Sequence, residues 1–369
     1  MIEGIERLRG YACILTLVQH ILWICPLRFF CGLISPYFGD AGGGMRIFFA
    51  ISGFVVTLSL KDKIAELKGS EFQDRLFAAK DVLLSFYKKR FFRIFPMVLF
   101  ICLLVGIFLS IREHNLDWVA PLLRSPAEIF FGVYNNSMEL FEHTNPIYNA
   151  GLGPFWTLGI EAQFYILWPL VLILCPNNNV RIILALVLGT VFLFIIQPLF
   201  VAYCDLRYYL FHNNVAEIFL GSFLAYLYSE KTRLNISVKW ARFVVVIFAL
   251  LVWFYPNSLN RSFFSWLVVS ASAVSLVFLA AFVPGSCRIP LLDRFLAYLG
   301  SRSFSIYAVH LVLANVVVWF TESAYFPKDS FYEQDLLRYQ FWIFLVLLFV
   351  MAELAHRFVE KPFRQMGRK

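Results

Sequence analysis

Apolar stretches long enough to cross a bilayer recur along this 369-residue chain, and no soluble architecture accommodates them. A hydrocarbon core about 30 Å thick calls for roughly 20 apolar helical residues. Such runs stand near 8–25, 45–60, 95–111, 155–175, 180–201, 208–228, 241–256, 263–283, 301–320 and 339–357. Charged residues make up 15% of the chain and mean hydropathy is +0.71, whereas an ordinary globular domain has about a quarter of its residues charged. The expected fold class is all-α, a polytopic membrane helical bundle of about ten transmembrane helices, forming a single domain over 1–369. The first run shows no leader-peptide cleavage pattern and is expected to stay in the mature protein. No hydrophilic block is long enough for an attached soluble catalytic domain, so the chemistry is expected inside the membrane.

The net charge of +8 would suggest nucleic acid as a partner of a soluble protein, but here the basic residues report topology. With the N-terminus in the cytoplasm, roughly three-quarters of the Lys and Arg fall on the cytoplasmic side, and an even span count returns the C-terminus there. No nucleic acid is expected. The seven cysteines contain no C-x-x-C pair, and the histidines lie in separate runs without close ligand spacing. Neither a disulfide framework nor a metal site is implied.

Ionisable side chains inside such runs are costly and mark functional sites by default. Arg9 opens the first run and His20 follows eleven residues later, roughly 16 Å deeper along a helix. Histidine changes charge most readily near neutral pH, which suits it to proton transfer, although a lone His also serves simply to hydrogen-bond a neighbouring helix. Its company argues for chemistry. Glu161 enters the fourth run from the opposite face and reaches a similar depth, accompanied by Gln163 and Tyr165. Glu217 in the sixth run, Ser52 in the second, and Ser305, Tyr307 and His310 in the ninth fall in the same slab. A carboxylate beside a histidine orients the ring as a general base for an alcohol. Ser52 precedes Gly53, a pairing that more often permits close helix packing than nucleophilic attack.

Arg90 and Arg93 sit three residues apart in the basic stretch Lys88-Lys89-Arg90-Phe91-Phe92-Arg93, on one helix face at the cytoplasmic mouth. They suit phosphate groups, and equally suit anionic lipid. The segment 112–154 is long for a loop and offers a wall or lid for an acceptor, part of it as an interfacial helix.

Taken together, Arg9-x10-His20, Phe48-Phe49-x-x-Ser52-Gly53-Phe54, Arg90-x-x-Arg93-Ile94-x-Pro96, Trp156-x-Leu158-x-x-Glu161-x-Gln163-Phe164-Tyr165 and Ser303-x-Ser305-x-Tyr307-x-x-His310 resemble the ordered motifs of the acyltransferase-3 family of integral membrane O-acyltransferases. The resemblance spans the chain and is closest to the stand-alone type, without an extracellular esterase-like domain. It implies transfer of an acyl group, most often acetyl from acetyl-CoA in the cytoplasm, to a sugar hydroxyl of a cell-surface or lipid-linked glycan such as O-antigen or exopolysaccharide. The setting it implies is a bacterial inner membrane.

His20 would then be the catalytic base and Arg9, Arg90 and Arg93 the holders of acyl-CoA, while Glu161 orients His20 or positions the acceptor. His310, Tyr307 and Gln163 would donate hydrogen bonds to the developing oxyanion. Two departures bear on donor and acceptor preference: Met45-Arg46 stand where the family usually has a small apolar or acidic pair, and Asn214 replaces a commonly basic residue. The reading from another class is a proton-coupled transporter, with His20 and Glu161 relaying protons.

Overall fold

The computed structural model describes residues 2–21, 42–67, 72–134, 146–175, 177–196, 215–228, 234, 236–254, 263–325 and 333–369. Asn214 and residues 135–145 of the long segment lie outside them. Regular structure among the described residues is entirely helical: α1 Glu3–Ile21, α2 Gly42–Ala65, α3 Phe72–Arg112, α4 Val119–Phe130, α5 Trp156–Leu174, α6 Asn178–Val191, α7 Val215–Leu227, α8 Val238–Phe254, α9 Phe263–Phe282, α10 Asp293–Tyr325, α11 Glu333–Ala355 and α12 Lys361–Met366. Each apolar run of the sequence carries a helix. Among the described residues, seven helical stretches are long and apolar enough to cross a membrane: Gly43–Ala65, Gln73–Arg112, Tyr148–Leu174, Asn178–Ile196, Phe264–Phe282, Asp293–Glu322 and Arg338–Met366. Helix α1, which holds both Arg9 and His20, is not one of them, its acidic first turn (Glu3, Glu6) and Arg7 and Arg9 diluting its apolar character.

The chain divides into two compact units, one of Met1–Thr16, Gly39–Tyr87 and Gln163–Ser301, the other of Leu17–Phe38, Lys88–Ala162 and Arg302–Lys369. In the first, α2 and α7 approach backbone to backbone. A Cβ on Gly53 would lie 1.8 Å from the Ile218 carbonyl oxygen, and one on Gly221 would lie 2.1 Å from that of Ala50. Two glycines, one from each helix, therefore set the separation, the small-residue packing that membrane helices use in place of a hydrophobic driving force. Ser222 Oγ lies at the same crossing and donates to the Ile218 carbonyl at 2.9 Å. The sequence assigned the Ser52-Gly53 pair mainly to packing, and Gly53 performs that part.

Arg46 of α2 lies in the same unit, buried to 1% exposure, with Nη1 2.7 Å from Glu217 Oε1 of α7, itself wholly buried. Ser270 of α9 accepts from the same nitrogen, and the guanidinium sits 4.7 Å from the centre of the Trp266 ring. One cation thus ties three helices. The ends of helices in this unit are also held by cations. Lys61 Nζ donates to the carbonyls of Ala225 and Tyr228 at 2.9 and 2.7 Å, closing α7. Arg181 donates to those of Leu172 and Cys175, and Arg75 to that of Leu174, closing α5. Cations belong at helix C-termini, where the last carbonyls lack intrahelical partners.

In the second unit, the segment read as a wall or lid contains the 12-residue helix α4, whose Phe130 ring meets those of Phe91 and Phe95 edge-on. Residues Tyr148–Leu152 form a π turn leading into α5, and Gly151 adopts φ +133°, where a Cβ would collide with the Val312 backbone 2.7 Å away. Only glycine fits that conformation and that approach.

Removing one partner of a buried ion pair strands the other, at about 3–5 kcal/mol. Arg46→Met is expected to lower stability by that order in a detergent unfolding experiment. Adding Glu217→Leu should recover most of the loss, since the stranded carboxylate goes with it.

Candidate functional site

His20 lies near the C-terminal end of α1, half-buried, with Nδ1 2.9 Å from Nε2 of the fully buried His310. The rings stack at 5.0 Å between centroids and 24° between planes. His310 is fixed in turn, its Nδ1 standing 2.6 Å from the Tyr307 carbonyl oxygen. A carbonyl only accepts, so His310 Nδ1 carries the hydrogen there, and in the neutral ring Nε2 is left with a lone pair. His20 Nδ1 must therefore donate to it, which places the lone pair of His20 on Nε2. The relay from the Tyr307 carbonyl through His310 selects one tautomer of His20, a task usually done by a carboxylate.

The hydroxyl of Tyr307 donates to the Pro154 carbonyl and lies 2.8 Å from Thr157 Oγ1. This joins α10 to the Gly153-Pro154 entry of α5. Glu161 follows Thr157 by four residues, on the same helix face, and Tyr307 is within its electrostatic reach. His20, His310, Tyr307, Thr157 and Glu161 all belong to the second unit.

The geometry adds to the sequence reading in two respects. His20 Nδ1 is met by His310, a contact the sequence did not anticipate. Tyr307 Oη and His310 Nδ1 donate to the carbonyls of Pro154 and Tyr307.

The remaining residues are placed as follows. Ser52 Oγ and Tyr165 Oη are 2.9 Å apart in the first unit, with Tyr165 buried. Arg9 and Gln163, both half-buried, belong to that unit too, and Glu217 there is engaged by Arg46. Arg90 and Arg93, half-buried on α3, belong to the second unit. Ser305 donates to Glu360 Oε2 at 2.6 Å, and the same oxygen lies 3.0 Å from His356 Nδ1, with Arg364 3.5 Å from the other oxygen. Arg93 is within electrostatic reach of that carboxylate.

Sequence reasoning missed Glu360 and His356, which lie at or past the end of the last apolar run and read as tail. It noted Arg46 only as a departure. Thr157 carried no signal beyond standing one turn before Glu161. Among the described residues no three His, Cys, Asp or Glu side chains converge as a metal ion would require.

Comparison with known proteins places these residues in context. The acyltransferase-3 pattern, that of an acyltransferase domain, matches residues 2–354. The O-acetyltransferase OatA of Staphylococcus aureus strain NCTC 8325 is 25% identical over 393 residues, an alignment covering 100% of this chain and 58% of the relative. The OatA proteins of strains COL and MRSA252 show the same identity and coverage. The chain thus spans 58% of the length of these relatives. No solved structure matches it.

Tyr307→Phe would remove the donor to Pro154 and leave Thr157 alone to satisfy that carbonyl. A net loss of about 1–2 kcal/mol is expected in thermal or denaturant unfolding, the usual worth of a buried hydrogen bond.

Proposed function

The chain belongs to the acyltransferase-3 family, and from that premise we propose that it is a membrane O-acetyltransferase with His20 as its general base. The single observation that carries this reading is the His20–His310 hydrogen bond, because it leaves the basic nitrogen of His20 at Nε2 in a defined tautomer. The donor is acyl-CoA, most simply acetyl-CoA, arriving from the cytoplasm. The acceptor is a hydroxyl of a cell-surface or lipid-linked glycan, of O-antigen or exopolysaccharide type. The topology proposed is ten spans in one domain with both termini cytoplasmic, in a bacterial cytoplasmic membrane. Support comes from the bias of Lys and Arg between loops and from the helix ends closed by Lys61, Arg75 and Arg181, which that topology puts on its basic side.

The reaction follows from the tautomer. As the sugar oxygen attacks the thioester carbonyl, its proton passes to His20 Nε2. The C–S bond then breaks, the acetyl group stays on the sugar oxygen, and the CoA sulfur leaves as the thiol with the proton His20 had taken. While His20 is charged, its Nδ1–H points at the His310 lone pair, so the developing imidazolium meets an acceptor already in place. Glu161, on the Thr157 face of α5, orients His20 or positions the acceptor hydroxyl. Arg9, Arg90 and Arg93 hold the phosphates of CoA, for which guanidinium groups are well suited.

The test is transfer of label from radiolabelled acetyl-CoA into membrane glycans, comparing the intact chain with variants at equal membrane expression. His20→Ala is expected to lower the rate by about 10²–10⁴-fold, the range a general base supplies. His310→Ala should lower it while leaving the KM for acetyl-CoA unchanged. Labelling that persists without His20 would overturn the assignment, and solute accumulation without CoA release would replace enzyme with transporter.

A further inference from the structure

A cavity of about 680 Å³ opens in the first unit, between the start of α1, the middle of α2 and the end of α9. That volume lies within the range of small-molecule sites. Ile2, Ile5, Phe54, Val55, Leu58 and Tyr228 give it an apolar body, and Phe54 and Tyr228 are buried. The charged residues of its lining, Glu3 and Arg288, are exposed, with side chains 68% and 51% accessible, and with the exposed Pro284 they mark its mouth. The two are paired at 2.6 Å, and Arg288 holds the Glu3 carboxyl below the usual carboxylate range.

The ionic network at the mouth is unbalanced. Glu3 also accepts from Arg7 at 3.2 Å, and Arg7 is clasped by Asp293. Arg242 donates to the carbonyl of Gly285, a residue of the lining, within electrostatic reach of Asp293. Among the described residues, three guanidinium groups, of Arg7, Arg242 and Arg288, thus face two carboxylates, of Glu3 and Asp293. The excess positive charge stands beside an apolar recess, and the one pair that would have to open, Glu3–Arg288, is exposed and therefore cheap to exchange.

We propose that this cavity is a binding site for a phospholipid with an anionic headgroup, one acyl chain in the apolar recess and the phosphate on Arg288. An apolar body rejects a small soluble anion. Arg288, released from its exposed pair with Glu3, favours a singly anionic headgroup over a zwitterionic one, whose own cation would be repelled by the neighbouring guanidinium groups. Tyr228, in the lining, presents its carbonyl to Lys61, so the mouth lies at the same end of α7 as that further cation. Basic pockets between membrane helices hold lipid headgroups in this way. The cavity's lining does not include His20, and the proposal does not depend on the transfer chemistry.

Native mass spectrometry of the delipidated full chain in detergent tests it, with phosphatidylglycerol and phosphatidylcholine of matched chains as probes. Phosphatidylglycerol is expected to be retained about tenfold more than phosphatidylcholine, a preference that Arg288→Gln reduces to parity and that high ionic strength weakens in the unaltered protein. Val55→Phe, which narrows the recess, should lower retention of both lipids. Equal retention of the two lipids by the unaltered chain would overturn the proposal, as would a preference unchanged by Arg288→Gln. Displacement of phosphatidylglycerol by CoA would also overturn it, assigning the cavity to the acyl donor instead.

Discussion

Arg46 carries a charge that an apolar helix bundle cannot leave alone, and Glu217 answers it at 2.7 Å. A buried pair of this kind adds little net stability over two well-packed apolar side chains, but it makes every arrangement that separates the partners costly. Because the partners lie on α2 and α7, and Ser270 and Trp266 on α9, the pair rejects mis-registered packings of three helices. The glycines that let α2 and α7 touch serve the same contact. Were Gly53 or Gly221 to bear a Cβ, the helices would part, and Arg46 would have to stretch toward its carboxylate.

The same rule, that no polar group in such an interior goes unanswered, shapes the histidine pair. His310 is wholly buried and has two ring nitrogens to satisfy, one met by the Tyr307 carbonyl and the other by His20. What satisfies His310 is what orients His20. A carboxylate in that place would hold the imidazolium more strongly, but it would also bring a second charge into the interior that needs its own partners. A neutral histidine tied to a backbone carbonyl fixes the tautomer without that cost.

Much of this was legible in the sequence, and the part that was not has one cause. Helix placement followed from apolar run length, because lipid leaves the backbone no alternative to helix. The rise per residue led the sequence to put His20 and His310 at similar depth, and the structure puts the two in hydrogen-bond contact. Depth alone, however, put Glu217 in the same slab as the histidines, and depth is silent on the direction a side chain faces around its helix. Glu217 faces Arg46. Arg46 looked like an isolated departure because its partner is 171 residues away. Glu360 was read as tail because the last apolar run ended before it, although α11 continues through a π turn, His356–Glu360, that carries this carboxylate to Ser305.

That π turn bears on the arginines. Extending the last helix by a wide turn places Glu360 where it takes hydrogen bonds from Ser305 and His356, with Arg364 and Arg93 around it. Arg93 therefore has a carboxylate nearby before any phosphate arrives. A guanidinium has five donors, and one carboxylate can occupy at most two of them in the bidentate geometry. The rest stay directed by a side chain that is itself anchored at both oxygens. Lys88 and Lys89 on the same helix are exposed, whereas Arg93 is half-buried within electrostatic reach of that carboxylate.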